Sequence, residues 1–155
     1  MRVFISTAPF GEVDRKPLDL LEENNIEYVV NEYGRRLTEE ELKDVIGDFD
    51  AVIAGTEPIT KAVLDSGNRL RLISRVGIGL DNVDLESAKA NGVKVSYTPD
   101  APSPAVAELT IGLMLSLLRF VHISNENMHR GQWYRHFGRR LSESVVGILG
   151  VGRIG

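Results

Sequence analysis

Leu70-Arg71-Leu72-Ile73-Ser74-Arg75-Val76-Gly77-Ile78-Gly79-Leu80-Asp81-Asn82-Val83-Asp84 is the stretch that decides the fold. A short apolar run, a glycine turn and a helix cap follow one another without a gap. Leu70 to Ser74 is expected to be a buried strand. Asp84 is expected to cap a helix that stops at Asn91-Gly92, two residues that tolerate a left-handed backbone. Between them, Gly77 and Gly79 free successive backbone N–H groups to point at one place. Such a nest suits a carboxylate or a phosphate, and Arg75 stands at its edge. The same residues also serve a plain strand-to-helix turn with a surface arginine, and the loop alone does not choose between the two.

Moving outward, the same unit repeats. Val3 to Ile5, Ile26 to Val30, Ala51 to Ala54 and Val93 to Tyr97 read as further strands. Helices are expected from Lys16 to Asn24, from Thr38 to Ile46, and from Thr60 to Gly67. Thr38-Glu39-Glu40-Glu41 has the spacing of a capping box. Ala51 to Ala54 is wholly apolar, as a strand covered on both faces should be. Alternating strands and helices imply right-handed crossovers and a parallel sheet, so the expected form is α/β and flavodoxin-like. Ligands of such sheets bind beyond the carboxyl ends of the strands, where the strand order reverses. The loops after Ala54 and Ser74 are therefore the candidates.

The pattern changes at Thr98-Pro99-Asp100-Ala101-Pro102-Ser103-Pro104. A domain boundary is placed near residue 100, giving domains at 1–100 and 101–155. Ser103 is expected to cap a helix with Pro104 at its first position. That helix runs to about Leu118, is read as buried, and helical character resumes before Gly131. Glu108 and Arg119 argue against a membrane span there.

The bulk properties are those of an ordinary soluble domain. The chain has 155 residues, a net charge of −4 and no cysteine. Disulfides, thiolate nucleophiles and cysteine metal sites are thereby excluded, and a cytoplasmic location is expected. The basic stretch from Arg130 to Arg140 is too short for strong nucleic-acid binding. No metal site, nucleic-acid partner or membrane partner is expected.

At the far end, Val145 to Leu149 reads as a buried strand leading into Gly150-Val151-Gly152-Arg153-Ile154-Gly155. The G-x-G-x-x-G spacing supplies a tight turn at Gly150, close approach of backbone to a pyrophosphate at Gly152, and close packing of a following helix at Gly155. A strand precedes this motif; the helix and the ribose-binding acid expected about 20 residues later lie outside it. Taken alone the motif is equally a glycine-rich turn. An unpartnered strand at 145–149 would be prone to strand exchange.

Taken together, the motifs carry more weight. The loop from Ser74 to Asp84, then Asn91-Gly92-Val93, Thr98-Pro99, Ala105-Val106-Ala107-Glu108-Leu109-Thr110 and Gly150 to Gly155 stand in the order and spacing of D-2-hydroxyacid dehydrogenases of the phosphoglycerate-dehydrogenase type. The chain resembles the N-terminal part of that family. The resemblance implies a substrate domain followed by the start of a Rossmann NAD-binding domain. It implies that Arg75, Val76 and Gly77 hold the substrate carboxylate. Ile78 and Val106 would line the nicotinamide end, and Gly150, Gly152, Arg153, Ile154 and Gly155 would meet the pyrophosphate of NAD. The helix from Pro104 and the arm from Gly131 to Leu141 resemble a homodimer interface. The family's arginine, histidine and carboxylate for hydride transfer match no position here, and His122, His129 and His136 are read as surface or interface residues. No catalytic residue is therefore assigned, and these residues alone are expected to be inactive.

One departure bears on the substrate. Phosphoglycerate-specific members carry an arginine just after the third strand. Ala54-Gly55-Thr56-Glu57-Pro58 has none, and Glu57 is counted as an unfavourable charge for a phosphate. This weighs against phosphoglycerate and leaves glyoxylate, hydroxypyruvate or another small 2-keto acid open. The alternative is a non-catalytic α/β module that binds a small acid or a protein partner.

Overall fold

In the computed structural model, which describes residues 1–155, the first strand, β1 (Arg2–Ile5), lies between β2 (Glu27–Val30) and β3 (Ala51–Ala54). Beyond β3 come β4 (Leu72–Arg75) and β5 (Lys94–Tyr97), and every pairing is parallel. The order β2-β1-β3-β4-β5 is the flavodoxin-like arrangement expected from the sequence.

Handedness explains where the helices go. The chain first steps outward from β1 to β2 through α1 (Lys16–Glu23), then reverses and passes over β1 to reach β3 through α2 (Glu39–Ile46). A right-handed crossover that reverses direction must switch faces. Accordingly Leu18 of α1 packs with Val3, Ile5 and Ala51 on one face. On the other face α2, α3 (Lys61–Ser66) and α4 (Leu85–Ala90) cover Phe4, Val52, Ala54 and Ile73. The period-two alternation along β1 and β3 thus divides one chain between two cores. Ile5, Leu42, Ile46, Val52 and Ile73 are fully enclosed.

The helix starts follow local chemistry. Thr38 accepts from the Glu41 N–H and Glu41 returns a bond to the Thr38 N–H, a complete capping box. Thr60 caps α3 and Asp84 caps α4 through the N–H groups of Val63 and Ser87. The left-handed backbone after α4 falls on Gly92, φ +69°, where the missing Cβ removes the steric penalty.

Residues Met1–Pro99 form one compact unit and Asp100–Gly155 a second. The second holds α5 (Ser103–Arg119), α6 (Val121–His129) and a single helical turn, Leu141–Glu143. Three sequence expectations are corrected here. Ser103 does not cap α5: its backbone is already helical, Pro102 holds the cap position, and the buried Ser103 hydroxyl has no partner. The helix is not buried either, since Leu109, Ile111, Leu113 and Leu117 are more than half exposed. A helix apolar on every side needs cover on every side, and this chain alone does not provide it. Finally, Val145 to Leu149 forms no strand. A parallel strand exists only through a ladder, no neighbour pairs with this segment, and Val145 and Leu149 are fully exposed. No single helix is long and apolar enough to cross a membrane.

Candidate small-acid site at the carboxyl ends of the strands

The strand order reverses between β1 and β3, so the crevice of this sheet opens where the loops after β1, β3 and β4 meet. Their packing is close. A Cβ on Gly55 would stand 2.8 Å from Thr7 Oγ1 and 3.0 Å from Thr7 Cβ, so only glycine lets the two loops approach this far. Glu57, 1% exposed, fastens them. Its carboxylate accepts from the Gly55 N–H at 2.9 Å and from the Ser6 hydroxyl. Asn31 ties the same strand end from the other side, donating to the Ser6 carbonyl at 2.9 Å.

The loop after β4 is stitched onto this platform. Asn82 donates its side-chain amide to the carbonyls of Gly55 and Glu57, at 3.3 and 2.7 Å. Ile59 exchanges backbone bonds with Asn82 and Asp84. Glu57 therefore plays a different part from the one read in sequence. Its charge is turned inward and engaged, and Thr56 is the exposed side chain of the segment. What makes this place neutral is the Ala54-Gly55-Thr56 run; Glu57 does not face it.

Arg75, Val76, Gly77 and Ile78 lie together at the end of β4. Gly77 has φ +145°, a backbone essentially reserved for glycine. The Val76 N–H continues the ladder to the Ala54 carbonyl at 2.8 Å. The Gly77 N–H donates to Thr98 Oγ1 at 2.8 Å, and the Thr98 N–H donates back to the Gly77 carbonyl at 3.0 Å. The N–H groups of Ile78 and Gly79 make no hydrogen bond within the chain. Arg75 curls back so that Nη1 donates to the Val76 carbonyl, while its Nε is buried without a partner. Free amides, an exposed hydroxyl and an incompletely satisfied guanidinium form a donor-rich patch, chemistry that accepts a small anion. Asp84, whose carboxyl is held below its usual range by the Ser87 N–H and hydroxyl, closes the loop as a helix cap.

The remaining sequence candidates lie in the second unit. Val106 is exposed on α5. Gly150 adopts φ +86°, and a Cβ on Gly155 would collide with the Gly150 carbonyl and stand 3.0 Å from Val151 Cα. The segment is thus a tight glycine-dependent turn, with Arg153 held by the Asp100 carboxylate. No strand precedes it and no helix N-terminus follows within residues 150–155, so these residues alone do not build a pyrophosphate cradle. His122 touches Ser116 Oγ, and His136 stacks on Phe120 with a ring separation of 5.2 Å. Neither belongs to the loop cluster of the first unit.

A sequence profile of the D-isomer specific 2-hydroxyacid dehydrogenase catalytic domain matches residues 4–145. The chain belongs to this family. Among its relatives, D-3-phosphoglycerate dehydrogenase of Methanocaldococcus jannaschii is 41% identical over 123 residues, which is 77% of this chain and 23% of that protein. Hydroxypyruvate reductase of Thermotoga maritima is 37% identical over 122 residues, 77% of this chain and 40% of that one. The chain therefore spans between about a quarter and two fifths of the length of these relatives. A crystal structure of NAD+-bound 3-phosphoglycerate dehydrogenase from Entamoeba histolytica superposes with a TM-score of 0.73 at 29% identity, over 91% of this chain and 43% of that one. In this family member the segment Arg75 to Gly79, singled out from local sequence as a candidate, lies at the carboxyl end of β4. Local sequence missed Ser6, Asn31, Asn82 and the inward Glu57, because their partners lie 25 to 51 residues away. Thr98 appeared in sequence only as half of the Thr98-Pro99 motif.

Proposed function

We propose that this chain provides the substrate-binding part of an NAD-dependent dehydrogenase that interconverts a small, unphosphorylated D-2-hydroxy acid and its 2-keto acid. The observation that carries the reading is the donor patch at the end of β4: the unpaired Ile78 and Gly79 N–H groups, the Thr98 hydroxyl and the Arg75 guanidinium, set at the carboxyl edge of the sheet. Arg75 is assigned to the substrate acid. Val76 and Gly77, whose own N–H groups are engaged by Ala54 and Thr98, shape the loop, so the carboxylate clamp that the resemblance implied for them passes to the N–H groups of Ile78 and Gly79. The Ile78 side chain, Val106, Gly150, Gly152, Arg153, Ile154 and Gly155 are assigned to the cofactor. NAD supplies hydride transfer when bound; the role of these residues is to orient and neutralise the acid. The assignment of NAD rests on the family and on the NAD+-bound relative. The absence of any basic side chain in Ala54-Gly55-Thr56 supports an unphosphorylated substrate. Residues 1–100 are taken as the substrate domain and 101–155 as belonging to the NAD-binding side. A cytoplasmic homodimer that buries the exposed leucines of α5 is part of the same proposal, and sedimentation of Leu113→Glu against the parent chain checks it.

The test combines amide-resolved titration of this chain with glyoxylate and, for these residues joined to a complete NAD-binding domain, NADH oxidation with glyoxylate, hydroxypyruvate and phosphohydroxypyruvate. Shifts centred on Val76 to Gly79 and turnover of the two unphosphorylated acids are expected. Preference for the phosphorylated acid would overturn the substrate class. No response to any acid would favour a non-catalytic interaction module.

A further inference from the structure

Thr98 is the one side chain from outside the Arg75 to Asp84 loop that bonds to the backbone of Val76 to Gly79, and its main chain bonds there as well. Its hydroxyl oxygen accepts the Gly77 N–H at 2.8 Å, and its own N–H donates to the Gly77 carbonyl at 3.0 Å. These bonds span 21 residues and hold the peptide unit at Gly77, whose φ is +145°. They have a chemical consequence. With the Val76 N–H committed to Ala54 and the Gly77 N–H committed to Thr98, neither amide is free to take an incoming carboxylate. The Thr98 hydroxyl is exposed, and its proton has no acceptor within the chain. A hydroxyl that accepts from an N–H is polarised and donates more strongly.

Resting on the proposed function, we infer that Thr98 is a substrate-positioning residue: it relays the Gly77 N–H to the acid by donating its own hydroxyl proton to a carboxylate oxygen. The Ile78 and Gly79 N–H groups take the second oxygen. Recognition of the acid thus depends on the β5 end as well as on the glycine loop. No bond is made or broken beyond these hydrogen bonds.

The relay is distinguished from simple occupancy by the direction of one substitution. Thr98→Val keeps the shape, removes the hydroxyl and leaves the Gly77 N–H unpaired. Under the relay, glycolate binding, read from the amide shifts of Ile78 and Gly79, weakens about tenfold or more, the loss typical of a hydrogen bond to a charged group. Thr98→Ser restores it to within about threefold of the parent. The Gly77 amide should also exchange with solvent faster in Thr98→Val and at the parent rate in Thr98→Ser, with the Ile73 amide unchanged in both as a check on folding. Equal or tighter glycolate binding by Thr98→Val would overturn the relay and leave the dehydrogenase reading intact. Loss of binding in Thr98→Ser as well would overturn it by making the methyl group, not the hydroxyl, the determinant. Failure of the parent chain to bind glycolate would overturn both the relay and the reading it rests on.

Discussion

Replacing Gly77 by alanine probes the loop on two separable grounds. The backbone at φ +145° lies in a region essentially closed to residues with a Cβ, and holding alanine there costs about 1–3 kcal/mol. The new Cβ would also fall into the Arg75 guanidinium, with Cζ at 2.7 Å. That group is the flexible end of a side chain, so it moves aside and gives up its bond to the Val76 carbonyl. A hydrogen bond of this kind contributes about 0.5–1.5 kcal/mol. The expected total is therefore about 1.5–4.5 kcal/mol, read from urea unfolding followed by far-ultraviolet circular dichroism. Arg75→Ala removes the obstacle in advance. In the double variant Gly77→Ala/Arg75→Ala only the backbone term should remain, so the two single costs should exceed the double cost by about 0.5–1.5 kcal/mol. A loss below about 0.5 kcal/mol for Gly77→Ala, or strict additivity in the double variant, would refute this account of the loop.

Two further outcomes follow from the same structure. Glu57→Ala removes the acceptor of the buried Gly55 N–H and should destabilise the chain by about 1–3 kcal/mol, whereas Glu57→Gln, which keeps an acceptor oxygen, should cost less; equal costs in urea unfolding would show that the carboxylate does not fasten the loops. Glu41 is held down to about 2 from an ordinary value near 4.5, first by Arg35 and then by the Thr38 N–H. A depressed carboxylate stabilises the folded form fully above pH 4.5 and loses that contribution as pH falls from 4.5 toward 2, so acid titration of stability should be flatter across that window in Glu41→Gln.

What was legible in the sequence is what short-range chemistry controls. The five strands, the caps at Thr38, Thr60 and Asp84, the stop at Gly92 and the position of the Arg75 to Gly79 loop all depend on residues within about one helical turn of each other. The parallel order followed as well, because right-handed crossovers leave few topologies open. Three things were decided by tertiary structure alone. Glu57 turned inward because Ser6 and Gly55 offered donors at the end of neighbouring strands. The Gly77 amide was claimed by Thr98 because β5 lies beside β4. Val145 to Leu149, apolar enough for a strand, stayed irregular because no neighbouring strand pairs with it. The division has one physical cause: propensity and capping act on a residue and its near neighbours, whereas a ladder, a buried carboxylate or an occupied N–H is defined by a partner that only folding brings within reach.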